Sequence, residues 1–259
     1  MTKKGITIGL CNQKGGAAKT TTTAALAAIF GERGLSVLVI DNDPQGHLSL
    51  QFGVDVLREG ALKGTISELY LNKASVAELA VTTRFKGVEL IPASVDAAAV
   101  EITLSTLAGS DRLLGFALKP HKSKYDLILL DSPPNLGKFA VNVLNASDYY
   151  LVPVDGPWAL RSVDTLVKLA EQNARVYELS NQFLGVFLTM VDRTRIMQEL
   201  RDETKQRFPD KLFKSEIRRS TLAREAAVLE TPLPIYAADS NVAVDYRALA
   251  DEIAKRIGL

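Results

Sequence analysis

Three short segments of this 259-residue chain carry residues whose types and spacing suit phosphate chemistry. The first is KGGAAKTT, Lys14 to Thr21. A phosphate chain needs convergent backbone N–H groups, small residues that let it approach, and a helix N-terminus facing its charge. Gly15, Gly16, Ala17 and Ala18 are the small residues. Lys19 is placed to contact the β- and γ-phosphates, the Thr20 hydroxyl to ligate Mg²⁺, and Thr21 to donate to the α-phosphate. The second segment is IDNDPQG, Ile40 to Gly46, with two carboxylates two residues apart where a strand ends. By itself DxDP reads as an Asx turn; one strand after a phosphate loop, it reads as a carboxylate pair beside the phosphates. The third is YDLILLDSPPNLG, Tyr125 to Gly137, an apolar run that delivers Asp131 to a sheet edge. There Asp131 suits a Mg²⁺ water shell, while Asp126 suits strand capping.

These side chains need a scaffold that brings three distant segments to one place. Near-continuous apolar runs predict strands at Ile6–Cys11, Val37–Asp41, Val88–Pro92, Leu127–Asp131, Tyr149–Val154 and Phe183–Met190. Amphipathic stretches predict helices at Thr20–Arg33, Ala97–Leu107 into Asp111–Leu118, Phe139–Asn145, Leu160–Glu178 and Ile196–Arg207. A last helix is predicted from about Val244 to Ile257, with Tyr246, Leu249, Ala250, Ile253 and Ile257 on one face. Alternation of this kind implies an α/β fold: a doubly wound, mostly parallel sheet with helices on both faces. In such sheets ligands bind at the C-terminal strand ends, and the candidate chemistry follows Cys11, Ile40, Leu130 and Leu188.

Composition narrows the function. No linker, repeat or low-complexity stretch divides the chain, so residues 1–259 are expected to form one domain. The single cysteine, Cys11, excludes an intramolecular disulfide and a multi-cysteine cluster within one chain. It reads as a buried small hydrophobe. His47 and His121 lack ligand spacing, and Trp158 is either core or dimer interface. After Met1–Lys4 the chain enters its first strand without a leader-like segment, and no apolar run is long enough to span a bilayer. Net charge is +1, but residues 193–224 hold ten Lys/Arg against five Asp/Glu, a local basic face suited to nucleic-acid phosphates or simply a solvated helix.

The phosphate segment departs from GxxxxGK[ST], since Gln13 and Ala18 stand at its glycine positions. It resembles the deviant Walker A pattern KGGxGK[ST], and with the other two segments it resembles the ParA family of DNA-partition ATPases over nearly the whole chain. VPVDGPWALRSVDTL, FLTMVDRTR and IRRSTLAREA, beginning at Val152, Phe187 and Ile217, resemble further family elements. The resemblance implies that Lys14 is a signature lysine reaching the phosphates of a second subunit in an ATP-dependent homodimer. It implies that Asp43 positions the attacking water and that Asp41 supports the metal shell or the loop. It also makes the loop after Asp131 a second switch. Thr20, Asp43 and Asp131 then form the candidate Mg²⁺ set, with Lys14, Lys19, Asp43 and Asp131 catalytic. Met190, Ile217 and Arg218 would flank the adenine of ATP.

By the same resemblance the activity is Mg²⁺-dependent ATP hydrolysis, weak alone and stimulated by a ParB-like adaptor. Non-specific double-stranded DNA is the other partner, with Arg195, Arg201, Lys205, Arg218, Arg219 and Arg224 as candidate contacts. Arg201, Lys205 and Arg207 are expected on a solvent face of their helix. Starting at the first strand, the chain is expected to lack the DNA-reading extension of larger plasmid members. The cargo is plasmid or chromosomal DNA, or a protein assembly, and the expected place is the cytoplasm at the nucleoid. A membrane-acting relative would need an amphipathic tail, whereas ADEIAKRIGL lies on a sheet-packing helix. Ala18 raises a further alternative, a nucleotide-binding scaffold with little hydrolysis. A methyl there is tolerable at negative φ and costly at positive φ.

Overall fold

The computed structural model describes residues 5–56 and 62–259, so Met1–Lys4 and the leader reading placed there lie outside the described residues. The order is β1 (Ile6–Leu10), α1 (Lys19–Glu32), β2 (Val37–Asp41), α2 (His47–Gln51), α3 (Ile66–Tyr70), α4 (Val76–Leu79), β3 (Val81–Thr82), β4 (Val88–Ile91), α5 (Ala97–Thr106), α6 (Leu113–Leu118) and β5 (Leu127–Asp131). There follow α7 (Lys138–Ala146), β6 (Tyr149–Val154), α8 (Pro157–Tyr177), β7 (Gln182–Leu188), α9 (Arg195–Arg207), α10 (Leu222–Val228), α11 (Leu233–Tyr236) and α12 (Asn241–Ile257). The strands form one sheet in the order β3-β4-β2-β5-β1-β6-β7. All pairings are parallel except β3 with β4.

Alternation along each strand explains the two covered faces. Leu38, Ile40, Ile128, Leu130, Val152 and Val154 point into a layer with α5, α6, α7 and α8. Ile8, Leu10, Val37, Val39, Leu127 and Leu129 point the other way, onto α1 and α12. Tyr246, Leu249, Ala250 and Ile253 are buried as the periodicity predicts, and Ile257 packs at the edge of that layer. Successive residues face opposite sides of a strand, so a strand buried on both sides must be apolar throughout.

The differences from the expected elements have local causes. β4 stops at Ile91, before Pro92, whose nitrogen has no hydrogen to donate. β7 starts at Gln182 and ends at Leu188; by Met190 the backbone has turned to φ +53°. The expected 97–118 helical stretch is interrupted at Gly109, φ +76°, before a 3₁₀ turn at Ser110–Arg112. α12 begins at Asn241, because the Ser240 hydroxyl accepts from Ala243 N. Strict alternation fails between β2 and β4, where three short helices and the antiparallel β3 intervene. The five-residue and four-residue helices there are too short to show a 3.6-residue period.

The register sets the site. β5 lies between β2 and β1, with Asp131 opposite Asp41 on one side and Leu10 on the other. The loops leaving β1, β2 and β5 therefore emerge together. A second wall comes from β7, where Gly185 sits at φ +147° opposite a register irregularity in β6. A Cβ there would lie 2.0 Å from the Lys211 carbonyl oxygen. That close approach lets Val186 N donate to Lys211 O and Phe213 N to Val186 O. The segment then reaches Ile217, whose N–H donates to Leu188 O at 2.9 Å. Gly185→Ala is expected to cost about 3 kcal/mol through clash and strain. An unchanged urea midpoint would contradict the close approach.

Candidate functional site

The loop between β1 and α1 folds as a phosphate cradle. Gly16 and Ala18 have φ of +80° and +65°, so left-handed residues alternate along it. Such alternation turns successive N–H groups toward a common centre. Ala18 is also the N-cap of α1, and its positive φ is the costly case foreseen for a methyl at this place. Lys19 is buried, and its ammonium folds back to donate to the Lys14 carbonyl oxygen at 3.1 Å. Burial lowers the Lys19 pKa, while the nearby Asp131 charge opposes that shift.

Opposite the loop stands Asp131, fully buried at the end of β5. The Thr20 hydroxyl donates to its Oδ2 at 2.7 Å. Burial pushes this carboxyl up to about 8, and the charge of Asp41 adds to the effect. Asp41 is raised to about 6, also by burial. Its Oδ2 accepts from Ser49 N and Ser49 Oγ, and its Oδ1 from Asp43 N. Of the two roles left open for it, the geometry favours folding the loop. Asp43 is partly exposed, with Oδ1 accepting from Gln45 N, an Asx turn that faces the cleft. Asp126 accepts from Ser36 N, as expected of a strand-capping group.

These loops open onto a cleft of about 790 Å³. Residues Gly15 to Thr21, Asp43 and Pro134 line one end of it. Met190, Ile217 and Arg218 line it too, joined by backbone pairing of Val191 with Ile217 and Arg219. Met190 holds a left-handed backbone at this wall, a strain of the sort concentrated at ligand sites. Cys11 lies buried beside the loop, its thiol pushed up to about 12 by burial, which suits an inert packing residue.

Lys14 is not in the lining. Its ammonium pairs with Asp155 at 2.6 Å, beyond the end of β6. Sequence reasoning missed Asp155, although its place just after an apolar strand was a usable signal. It also missed His47 in the cleft lining and Asp245, which grips the Arg218 guanidinium through two hydrogen bonds. Trp158, left open between core and interface, is exposed, with the Arg161 guanidinium over its ring.

Much of the basic stretch is paired with carboxylates. Arg195 bonds Glu199, Arg201 bonds Glu216 at two points, and Arg207 bonds both Asp164 and Glu203. Arg201 and Arg207, expected on a solvent face, are only partly exposed, since carboxylates within reach engage both. Arg219 is 3.8 Å from Asp192 and largely exposed. Lys205 and Arg224 are exposed and unpaired among the described residues. Arg219 and Arg224 lie in the cleft lining itself. No helix among the described residues is long and apolar enough to cross a membrane.

A family model described as an AAA domain matches residues 5–185. The chain is 32% identical over 249 residues to the sporulation initiation inhibitor protein Soj of Bacillus subtilis, covering 95% of this chain and 97% of that one. It is 30% identical over 251 residues to the chromosome partitioning protein ParA of Myxococcus xanthus, covering 96% and 88%. Among solved structures it resembles a cobyrinic acid a,c-diamide synthase from Mycobacterium smegmatis with bound ADP and magnesium. That likeness has 28% identity, a TM-score of 0.84, and coverage of 98% of this chain and 96% of that chain.

Two outcomes follow from this geometry. Ala18→Gly relieves a left-handed methyl residue and should stabilise the protein by about 1 kcal/mol, raising Tm by roughly 2–4 °C; a lower Tm would contradict the strain. Asp131 binds its proton more tightly folded than unfolded, so without divalent cations stability should fall as pH rises from about 4 toward 8. Asp131→Asn should flatten that fall in a pH series of chemical denaturation. A parent whose stability rises across the same window would contradict the assignment.

Proposed function

The chain belongs to the family of ParA- and Soj-type P-loop ATPases, and from that premise we propose that it is an ATP-driven partition ATPase acting as a homodimer on DNA. In this reading two copies pair on ATP, bind double-stranded DNA without sequence preference, and separate when a ParB-like adaptor stimulates hydrolysis. The work is done at the nucleoid in the cytoplasm, moving plasmid or chromosomal DNA. A protein assembly as cargo would use the same cycle. Residues 1–259 act as one domain throughout.

The observation that carries this reading is the division of labour between two lysines of one loop. Lys19 is buried at the cradle, where it suits the β- and γ-phosphates of its own nucleotide. Lys14 points elsewhere, onto Asp155, with 38% of its side chain exposed. Its half-open ammonium is free to swing to a phosphate of a second copy, whose charge must then outweigh the loss of its pair with Asp155, a carboxylate only 10% exposed. The N–H groups around Gly15–Thr20 hold the phosphate oxygens, Met190 and the Ile217–Arg218 backbone flank the base, and Asp43 orients the attacking water. Bound Mg²⁺ supplies charge neutralisation at the phosphates. The Thr20 hydroxyl and Asp131 suit it, since they already share a hydrogen bond at the cradle, with Asp43 adjoining. The ADP and magnesium of the Mycobacterium smegmatis structure support the same ligands here.

The left-handed Ala18 favours one second reading, a nucleotide-binding scaffold with little turnover. Phosphate release separates the two, because the ATPase reading expects DNA and adaptor together to accelerate it. The three phosphate-side segments, 14–21, 40–46 and 125–137, contain no arginine to act as a finger, a charge worth roughly 10³- to 10⁵-fold in rate. Turnover of tens per second by the chain alone would instead favour an amide-forming enzyme, the class named for the Mycobacterium smegmatis neighbour.

Lys19→Ala is expected to abolish ATP binding. Lys14→Ala should bind ATP almost normally yet fail to pair, as light scattering would read. A Lys14→Ala protein that pairs like the parent removes the assignment. For DNA, pairing two basic faces multiplies phosphate contacts, so binding should require ATP and weaken with salt at a log–log slope of about −4 to −7. Because carboxylates hold Arg218 and Arg201 at two points each, the more exposed Arg195, Lys205, Arg219 and Arg224 should matter most among the candidates. Arg219→Glu with Arg224→Glu should lower DNA affinity at least about tenfold while ATP affinity holds. Loss of ATP affinity instead would assign those arginines to the nucleotide.

A further inference from the structure

Asn42 stands between the two carboxylates of the 41–43 segment, yet nothing in the proposed chemistry uses it. It is fully buried. Its Nδ2 donates to the Phe139 carbonyl oxygen at 2.9 Å, and its Oδ1 accepts from the Tyr70 hydroxyl at 3.0 Å. Both ends of the amide are therefore engaged, and the partners dictate which end is which: a carbonyl demands the NH₂, and the hydroxyl supplies a proton to the oxygen. The Tyr70 ring stacks on Phe139, centroids 4.7 Å apart, so hydroxyl, amide and carbonyl form a closed buried unit.

The position of that unit gives it meaning. Asn42 is the root of the loop that carries Asp43, and Phe139 is in the first turn of α7, directly after the 132–137 loop. Asp43 and Pro134, one from each loop, line the same end of the cleft. Ser132 Oγ donates to Leu10 O, and Phe139 N donates to Glu101 Oε1, so the second loop is pinned at both of its ends. The Asp43 loop has its own tie through Asp41 to Ser49. Among the described residues, Asn42 is the one side chain of the 41–43 segment bonded across to α7.

We infer that Asn42, oriented by Tyr70, is a positioning residue that braces the Asp43 loop against the N-terminus of α7 and so fixes where Asp43 holds the attacking water. This rests on the reading of Asp43 as the water-orienting group. Misplacing a reacting group by about 1 Å can cost on the order of 100-fold in rate. Support one residue removed from the chemistry acts on turnover and leaves nucleotide affinity alone.

The test is phosphate release by Tyr70→Phe, Asn42→Leu and the double variant, with DNA present, alongside ATP affinity and Tm. Tyr70→Phe keeps the ring on Phe139 and removes only the hydroxyl, so the aromatic packing is kept and Tm reads the cost of the unpaired Asn42 oxygen. The expected result is a kcat lowered about tenfold in Tyr70→Phe and further in Asn42→Leu, with ATP affinity within about twofold. The double variant should match Asn42→Leu, because the hydroxyl has nothing left to orient. Asn42→Gln, which retains the amide, should recover part of the loss. A kcat equal to the parent in Tyr70→Phe, or full additivity in the double variant, overturns the brace. Asp43→Ala run in parallel separates the two claims. If it turns over normally, the Asp43 reading fails; if it is inactive while Tyr70→Phe is normal, only the brace fails.

Discussion

A carboxylate buried without full compensation is the constraint around which this structure is arranged. Asp131 lies at the end of the strand flanked by β1 and β2, with a second buried carboxylate, Asp41, opposite it in the register. Two such groups cannot both be ionised cheaply in one dry layer. The hydroxyl of Thr20, the ammonium of Lys19 and the donors of Ser49 moderate the cost, and all come from α1 and α2, the helices that follow β1 and β2 at the same sheet edge. The sheet order and the burial of both faces thus serve one junction, where positive charge and hydrogen-bond donors accumulate in a site made for phosphate.

Among the described residues, two of the five non-glycine residues with positive φ stand at the same place, while Asn72, Glu178 and Glu230 lie elsewhere. Ala18 and Met190 hold left-handed backbone without being glycine, and both line the cleft. Neither is forced by the core. Ala18 closes the cradle at the start of α1, and Met190 turns the chain out of β7 so that it can pair with the 217–219 segment. Regular structure supplies rigid ends, and the strained residues reach between them. The ion pairs of Arg201, Arg207 and Arg218 belong to the surrounding frame; they hold α9 and the 217–219 wall, which leaves less of the basic stretch available to a partner than its charge count suggests.

Much of this was legible in the sequence because it rests on local pattern. Near-continuous apolar runs marked six strands of the sheet, and the three chemical segments fell at strand ends. The missed parts depend on long-range geometry. Asp155 meets Lys14 across 141 residues, and Asp245 meets Arg218 across 27. The two-residue β3 carries too little pattern to read, and the φ of Ala18 cannot be read from an alanine. Asn42 sat in plain view between two aspartates, but only the fold brings Tyr70 and Phe139 to it.

The central claim is that one copy's Lys14 serves the phosphates of another. Mixing Lys14→Ala with Asp43→Ala, each expected to be inactive alone, tests it most directly through phosphate release. In a mixed pair, the site with an intact Asp43 receives Lys14 from the other copy, so one active site per pair should reappear. If Lys14 served its own nucleotide, no site in the mixture would hold both groups, and the mixture would stay as inactive as its parts.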